Sequence, residues 1–248
     1  ASGSRGNAVY VSDGHHAVLF DAGLSGREIE RRLRSRGLQP DSLRAIVVSH
    51  EHSDHVQGVG VLSRRWQLPV YISRKTAAAG TAVGRLHRCV HFECGTSFQI
   101  DTLRIHPFSL SHDAADPSGF TIGVNGWKIG IATDLGCVTA MVRHHLAGCR
   151  ALVLEANHDP DMLLTGPYPW PLKQRIRSRA GHLSNSDCGV LLGELRHEGL
   201  HQVVLAHLSE TNNTPEKAFQ TVAPFLEHPR IELSVAVQNR CGEVLKID

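Results

Sequence analysis

No stretch of the 248 residues approaches the ~18 consecutive apolar residues of a membrane-spanning helix, and no charged-then-apolar leader opens the chain. A membrane protein is not expected. Neither charge sign dominates: 26 Lys and Arg stand against 24 Asp and Glu, so a basic coat over the whole surface is excluded while a local basic patch is not. No G-x-G-x-x-G or Walker sequence follows a strand, which disfavours nucleotide cofactors. No pair among Cys89, Cys94, Cys137, Cys149, Cys188 and Cys241 is spaced C-x-x-C, which argues against a zinc ribbon. Without a leader, reduced thiols in the cytoplasm are expected rather than disulfides. A chain of this length buries roughly 75% of its unfolded surface, so it needs no staple simply to fold.

What is present is an alternation of strand-like and helix-like segments without linker, repeat or low-complexity run. One domain over residues 1–248 is the simplest account. Ala17–Phe20 is a short apolar run ending in Asp21-Ala22-Gly23. A helix follows with Ser25 and Glu28 in capping-box spacing and stops at Gly37. Ala45–Val48 and Pro69–Ile72 read as strands, and Phe98 to Thr133 as antiparallel strands with a hairpin at Asn125-Gly126. Ala151–Leu154 and Val203–Leu205 are further strands, separated by a helix over Ser184–His197. Thr214-Pro215-Glu216 opens a helix, and Ile231, Leu233, Val235 and Val237 alternate as a half-buried strand. Hairpins mixed with helix-separated strands predict two mixed sheets with helices outside, a layered α/β fold.

Histidine is abundant, at 17 residues. A surface scatter is the bland reading, and only spacing decides otherwise. His50, His52, Asp54 and His55 form H-x-H-x-D-H directly after a strand. Extended backbone aims His50 and His52 the same way, so they can share one cation, while Asp54 and His55 reach a second after a turn. Imidazole and carboxylate suit Zn²⁺, and Mn²⁺ or Fe²⁺ less well. Chance produces this pattern in about four of a thousand such chains. Further candidates stand at other strand ends: His112, Asp134 and His207. Each alone is more often a cap or a surface residue, but sites in such sheets gather at strand ends.

H-x-H-x-D-H, then His, then Asp in a T-D-x-G context, then a strand-end His, resembles the metallo-β-lactamase fold. The resemblance implies a four-layer αββα sandwich with a dinuclear site between the sheets. On that pattern His50, His52 and His112 hold one metal, Asp54, His55 and His207 the other, and Asp134 bridges. Asp21 in F-D-A-G matches the aspartate that orients ligands from the first loop. Asp at the bridging position resembles phosphodiesterases and glyoxalase II. The interval from Asp134 to His207 is too short for the β-CASP domain of RNA-cleaving and repair nucleases, or for the long arm of many ribonuclease Z enzymes.

That interval carries Lys173, Arg175, Arg177 and Arg179 in a segment, residues 162–186, without Asp or Glu. Such cations can hold phosphate oxygens or simply face solvent. Ala1–Asn7 (A-S-G-S-R-G-N), His112–Ala114, Glu155–Asp159, Tyr168–Ile176 and Gly181–Asn185 resemble signatures of the YycJ (WalJ) branch. That branch implies a 5′→3′ DNA exonuclease linked to DNA repair, with DNA ends as substrate. Relatives carry Met and a short strand before A-S-G-S, so the native start is expected to be missing, with consequences for one edge strand and not for the site.

The expected mechanism has two divalent cations acidify a bridging water that attacks phosphorus in line. Asp54, Asp134 and His182 form the expected catalytic set. His182 matches the spacing of the proton-donating histidine of ribonuclease Z relatives and would protonate the leaving 3′ oxygen; the alternative is a histidine merely positioned by the Ser184 cap. Lys173 and Arg175 are expected as phosphate clamps. Asn157 and His158 are expected to contact substrate or to buttress their loop. Alternatives are an RNA-processing or cyclic-nucleotide phosphodiesterase, a glyoxalase II-like thioesterase, which would not need the basic run, and a binding protein that recognises nucleic-acid ends without cutting. The oligomeric state is open.

Overall fold

The structure is a computed structural model and is described for residues 1–226 and 230–247. Five strands form the first sheet in the order β1 (Val9–Ser12), β2 (Ala17–Phe20), β3 (Leu43–Val47), β4 (Pro69–Ser73), β5 (Arg88–Phe92). Only β1 runs antiparallel to its neighbour. The second sheet contains β6 (Phe98–Ile100), β7 (Leu103–Ser109), β8 (Ser118–Val124), β9 (Trp127–Ala132), β10 (Ala151–Glu155), β11 (Gln202–Ala206) and β12 (Glu232–Val235). Its strands β9 to β12 are parallel, and β6 to β9 form an antiparallel meander. The β8–β9 turn is made by Asn125 at φ 49° and Gly126 at φ 81°, the left-handed pair a two-residue hairpin requires.

The helices are α1 (Gly26–Arg34), α2 (Ser53–Val56), α3 (Val59–Trp66), α4 (Arg74–Ala79), α5 (Ala140–Leu146), α6 (Pro160–Thr165), α7 (Trp170–Ile176), α8 (Asn185–Leu195) and α9 (Pro215–Val222). Ser25, Thr139, Ser184 and Thr214 cap α1, α5, α8 and α9 by accepting a backbone N–H three residues on. The period-2 alternation of the strands divides the core into layers. From β2, Val18 and Phe20 face the second sheet and pack with Phe120, Ile122 and Ile131, whereas Ala17 and Leu19 face outward onto Ile29, Leu33 and Leu62 of α1 and α3. The outer face of the second sheet buries Leu152, Leu154, Val203 and Leu205 under α5, α8 and α9. The result is helix, sheet, sheet, helix, as the sequence predicts.

Two strands escape the sequence reading, β1 and β5, and both are edges of the first sheet. β5 carries Arg88 and His91 on a mostly exposed ribbon, so it lacks an apolar signature. The predicted helix ending at Gly37 stops at Arg34, and the one reaching His197 stops at Leu195. All six cysteines are free. Among the described residues no helix is long and apolar enough to cross a membrane.

Candidate metal centre and active site

β2, β3, β7, β9, β10 and β11 all end at one edge of the sandwich, and the residues just beyond them converge there. Asp21, Asp134 and His207 follow β2, β9 and β11 with φ of 60°, 63° and 55°. Left-handed backbone is costly for a non-glycine residue and persists where surrounding structure over-determines it. Here it turns the chain sharply enough to bring three strand-end side chains back into one site.

Two ligand pockets result. In the first, His50 Nε2 lies 3.0 Å from His52 Nδ1, and His112 Nε2 lies 3.3 Å from the same atom. His50 Nδ1 is within 3.0 Å of the Ser49 hydroxyl, and His112 Nδ1 donates to the Gly181 carbonyl at 3.0 Å. With the Nδ1 atoms so engaged, both Nε2 atoms present lone pairs toward His52, and one proton cannot serve both. A cation can: ligands on tetrahedral zinc at about 2.0–2.1 Å stand about 3.3 Å apart. In the second pocket Asp54 Oδ2 is 3.5 Å from His55 Nε2 and 3.4 Å from His207 Nε2. His55 Nδ1 donates to Asp21 Oδ2 and His207 Nδ1 to Glu155 Oε1, each at 2.8 Å, which orients both rings with Nε2 inward.

Asp134 stands between the pockets. Its Oδ2 is 3.1 Å from His55 Nε2 and its Oδ1 is 3.7 Å from His112 Nε2. Oδ2 is buried and makes no hydrogen bond, an orphaned acceptor aimed into a cluster of ligand atoms. The donor set therefore fits two divalent cations sharing Asp134, with His50, His52 and His112 on one side and Asp54, His55 and His207 on the other. Charge agrees. Burial raises the Asp134 carboxyl, but His207 and His55 outweigh it and hold it well below the usual range. Burial lowers His55, and Asp134 and Asp21 drive it well above its ordinary value. The carboxylates thus demand positive charge at this point of the fold.

Asp21 accepts from the Ser49 backbone N–H and hydroxyl, each at 2.8 Å, as well as from His55, so it touches two successive segments of the candidate ligand set. Glu155 does the same on the other sheet, and the sequence reading gave it no role. Its Oε1 accepts from His182 and His207, each at 2.8 Å, and its Oε2 from the Leu135 and Leu183 N–H groups. Burial raises the Glu155 carboxyl, yet the His182 and His207 imidazoles hold it at about 2. His182 is brought to the site at the β10 edge, with 22% of its side chain exposed. Burial lowers its basicity, and Glu155 more than compensates, leaving it above the ordinary histidine value.

Three of the expected substrate contacts sit elsewhere. Lys173 is buried, and its ammonium donates to the Leu164 and Gly166 carbonyls at 2.7 Å each, tying α7 to the end of α6. Asn157 is buried and donates to the His207 carbonyl at 2.8 Å. His158 is buried beside Ser184, where burial pushes its pKa down to about 4 and keeps it neutral. All three are buried, and of them Asn157 alone bonds to a candidate ligand residue. Arg175 alone of the four reaches the site margin: its side chain is 60% exposed and its Nε donates to Asp113 Oδ2 at 2.6 Å, next to His112. The basic segment therefore does have a counter-charge, supplied by Asp113 from another loop.

The residue 1–7 loop, to which the sequence reading gave no role at the site, also reaches it: Asn7 Nδ2 lies 3.1 Å from Asp54 Oδ2 and 3.1 Å from His55 Nε2. Asn7 stands in the A-S-G-S-R-G-N signature, but isolated sequence does not show its approach to Asp54 and His55, which lie 47 and 48 residues away.

A family model for the beta-lactamase superfamily domain matches residues 16–208. Over 230 residues the chain is 37% identical to exodeoxyribonuclease YycJ of Bacillus anthracis, spanning 92% of this chain and 87% of that protein. It is 36% identical over 227 residues to exodeoxyribonuclease WalJ of Streptococcus pneumoniae, spanning 90% and 84%. Among solved structures the fold is similar to the metallo-beta-lactamase fold protein YhfI from Bacillus subtilis, with a TM-score of 0.74 at 17% identity over 93% of this chain and 89% of that one. The short form of human tRNase Z superposes with a TM-score of 0.65 at 18% identity, over 98% and 93%. The chain belongs to the metallo-β-lactamase superfamily of metal-dependent hydrolases, in the branch of the YycJ and WalJ proteins.

Proposed function

We propose that the chain is a dinuclear metal-dependent phosphodiesterase that removes nucleotides from the 5′ end of DNA, with DNA repair as its setting. The observation that carries the reading is Asp134, whose two oxygens face a ligand atom of each pocket and whose Oδ2 has no other partner. The exodeoxyribonuclease names of relatives matched over most of their length support the substrate. Two divalent cations bound here would supply electrophilic pull on a phosphoryl oxygen and a water acidified toward neutral pH.

The chain's own groups do the rest. Ser49, Gly181, Asp21 and Glu155 engage the Nδ1 atoms of His50, His112, His55 and His207, so each ring would turn its Nε2 to a bound cation. His182 is held at Nδ1 by Glu155, so a second proton is carried on Nε2, where it can pass to the leaving 3′ oxygen. Arg175 can exchange the Asp113 carboxylate for a substrate phosphate, a charge-assisted contact of the same geometry.

The test is hydrolysis of linear DNA labelled at either end, with Mn²⁺ or Zn²⁺ supplied and Asp134→Ala as control. Stepwise loss from the 5′ end, absent in the variant, is the expected result. No DNA cleavage by a protein carrying two metals would overturn the substrate, and cleavage of RNA alone would reassign it.

A further inference from the structure

A closed run of hydrogen bonds joins the residue 1–7 loop to the second ligand pocket. The Ser2 hydroxyl accepts the backbone N–H of His207 at 2.7 Å and donates to Asn7 Oδ1 at 2.9 Å. Asn7 Oδ1 also accepts the Gly3 N–H at 2.9 Å, and Asn7 Nδ2 donates to the Gly3 carbonyl at 3.1 Å. Those contacts fix which end of the amide is which, so the NH₂ group is the end that faces Asp54 Oδ2. The backbone repeats the connection: Asn7 N–H donates to the Asp54 carbonyl, and Gly23 N–H donates to the Asn7 carbonyl, each at 2.8 Å. A Cβ at Gly23 would collide with the Asp54 carbonyl and fall 2.7 Å from Asn7 N, so the chain leaves room for this packing. Ser2 and Asn7 are both buried, whereas Ser4 in the same loop is exposed.

We infer that Asn7 is a positioning residue for the second cation. Its amide fixes the Asp54 carboxylate against His55, and through Ser2 it ties that carboxylate to the His207 backbone. Two ligands supplied by opposite sheets are thereby held in register by a loop that supplies no ligand. The inference rests on the two-cation reading proposed above.

The experiment strips the protein with a chelator and titrates Zn²⁺ back against a chromophoric competitor, with circular dichroism as the check on folding. The wild type is expected to take two equivalents. Asn7→Ala should keep one at wild-type affinity and bind the other about 10- to 100-fold more weakly, the usual cost of losing a ligand-orienting partner. Ser2→Ala should shift the same equivalent by less, and Ser4→Ala should match the wild type. In an Asn7→Ala, His52→Ala double variant no tight equivalent should remain, which places the retained cation in the first pocket. Two wild-type affinities in Asn7→Ala would overturn the inference, as would equal weakening of both. If Asn7→Ala does not fold, wild-type affinities in Ser2→Ala would overturn it. A wild type that takes a single equivalent would instead overturn the two-cation reading.

Discussion

Glu155 is a fully buried carboxylate that receives four hydrogen bonds, two from imidazoles on either side of the site and two from backbone N–H groups. Its charge keeps His182 basic. Glu155→Gln retains the shape and removes the charge, so His182 should lose its proton at lower pH. The alkaline limb of the rate profile should then move to lower pH and turnover should fall about 10- to 100-fold; an unmoved limb would remove Glu155 from the proton path. His158 shows the opposite electrostatics. Burial holds its folded pKa at about 4, below the unfolded value of about 6.5. As pH falls below about 6.5 the unfolded chain takes up a proton that the folded one refuses. The stability contributed above that pH is lost progressively down to about 4, a change of about 3 kcal/mol. Urea midpoints measured across that window should fall less steeply for His158→Gln than for the wild type. These two residues also show what sequence conceals: a lone Glu or His at a strand end looks the same whether it faces water or is sealed in.

At the scale of elements, α7 separates two roles that its composition blurs. Lys173 faces inward and satisfies two carbonyls at the end of α6, whereas Arg175 faces the site margin. Lys173→Met should cost about 1–2 kcal/mol of stability and leave KM unchanged. Arg175→Ala should cost little stability, because its ion pair is exposed, and raise KM for DNA roughly ten-fold with kcat held. Thermal melts and steady-state kinetics on both variants decide; the reverse pattern would restore Lys173 as a phosphate clamp. The charges of this segment were legible in the sequence, but their direction was not, since burial of Lys173 depends on α6 arriving alongside. By contrast H-x-H-x-D-H was readable because its four residues lie within one short segment running from the end of β3 into α2. The β8–β9 hairpin was readable for the same local reason. The edge strand β5, with its polar residues, carried no such pattern.

Across the whole molecule the two sheets contribute unequal halves of one site. The first supplies His50, His52, Asp54 and His55, and the second His112, Asp134 and His207. The layered fold followed from the order of apolar segments, whereas the closure of the site depended on partners remote in sequence: Asn7 with Asp54, Glu155 with His182, and Arg175 with Asp113. Cations bound at this site would therefore join the two halves. A chelator should lower the melting temperature by on the order of 20 °C if each of two metals is held at about a thousand times its Kd. The central claim is two cations sharing Asp134, and anomalous diffraction from crystals grown with Mn²⁺ tests it most directly. Two peaks are expected, one bounded by His50, His52 and His112, the other by Asp54, His55 and His207, with Asp134 between them. A single peak, or two peaks that Asp134 does not touch, would contradict the account.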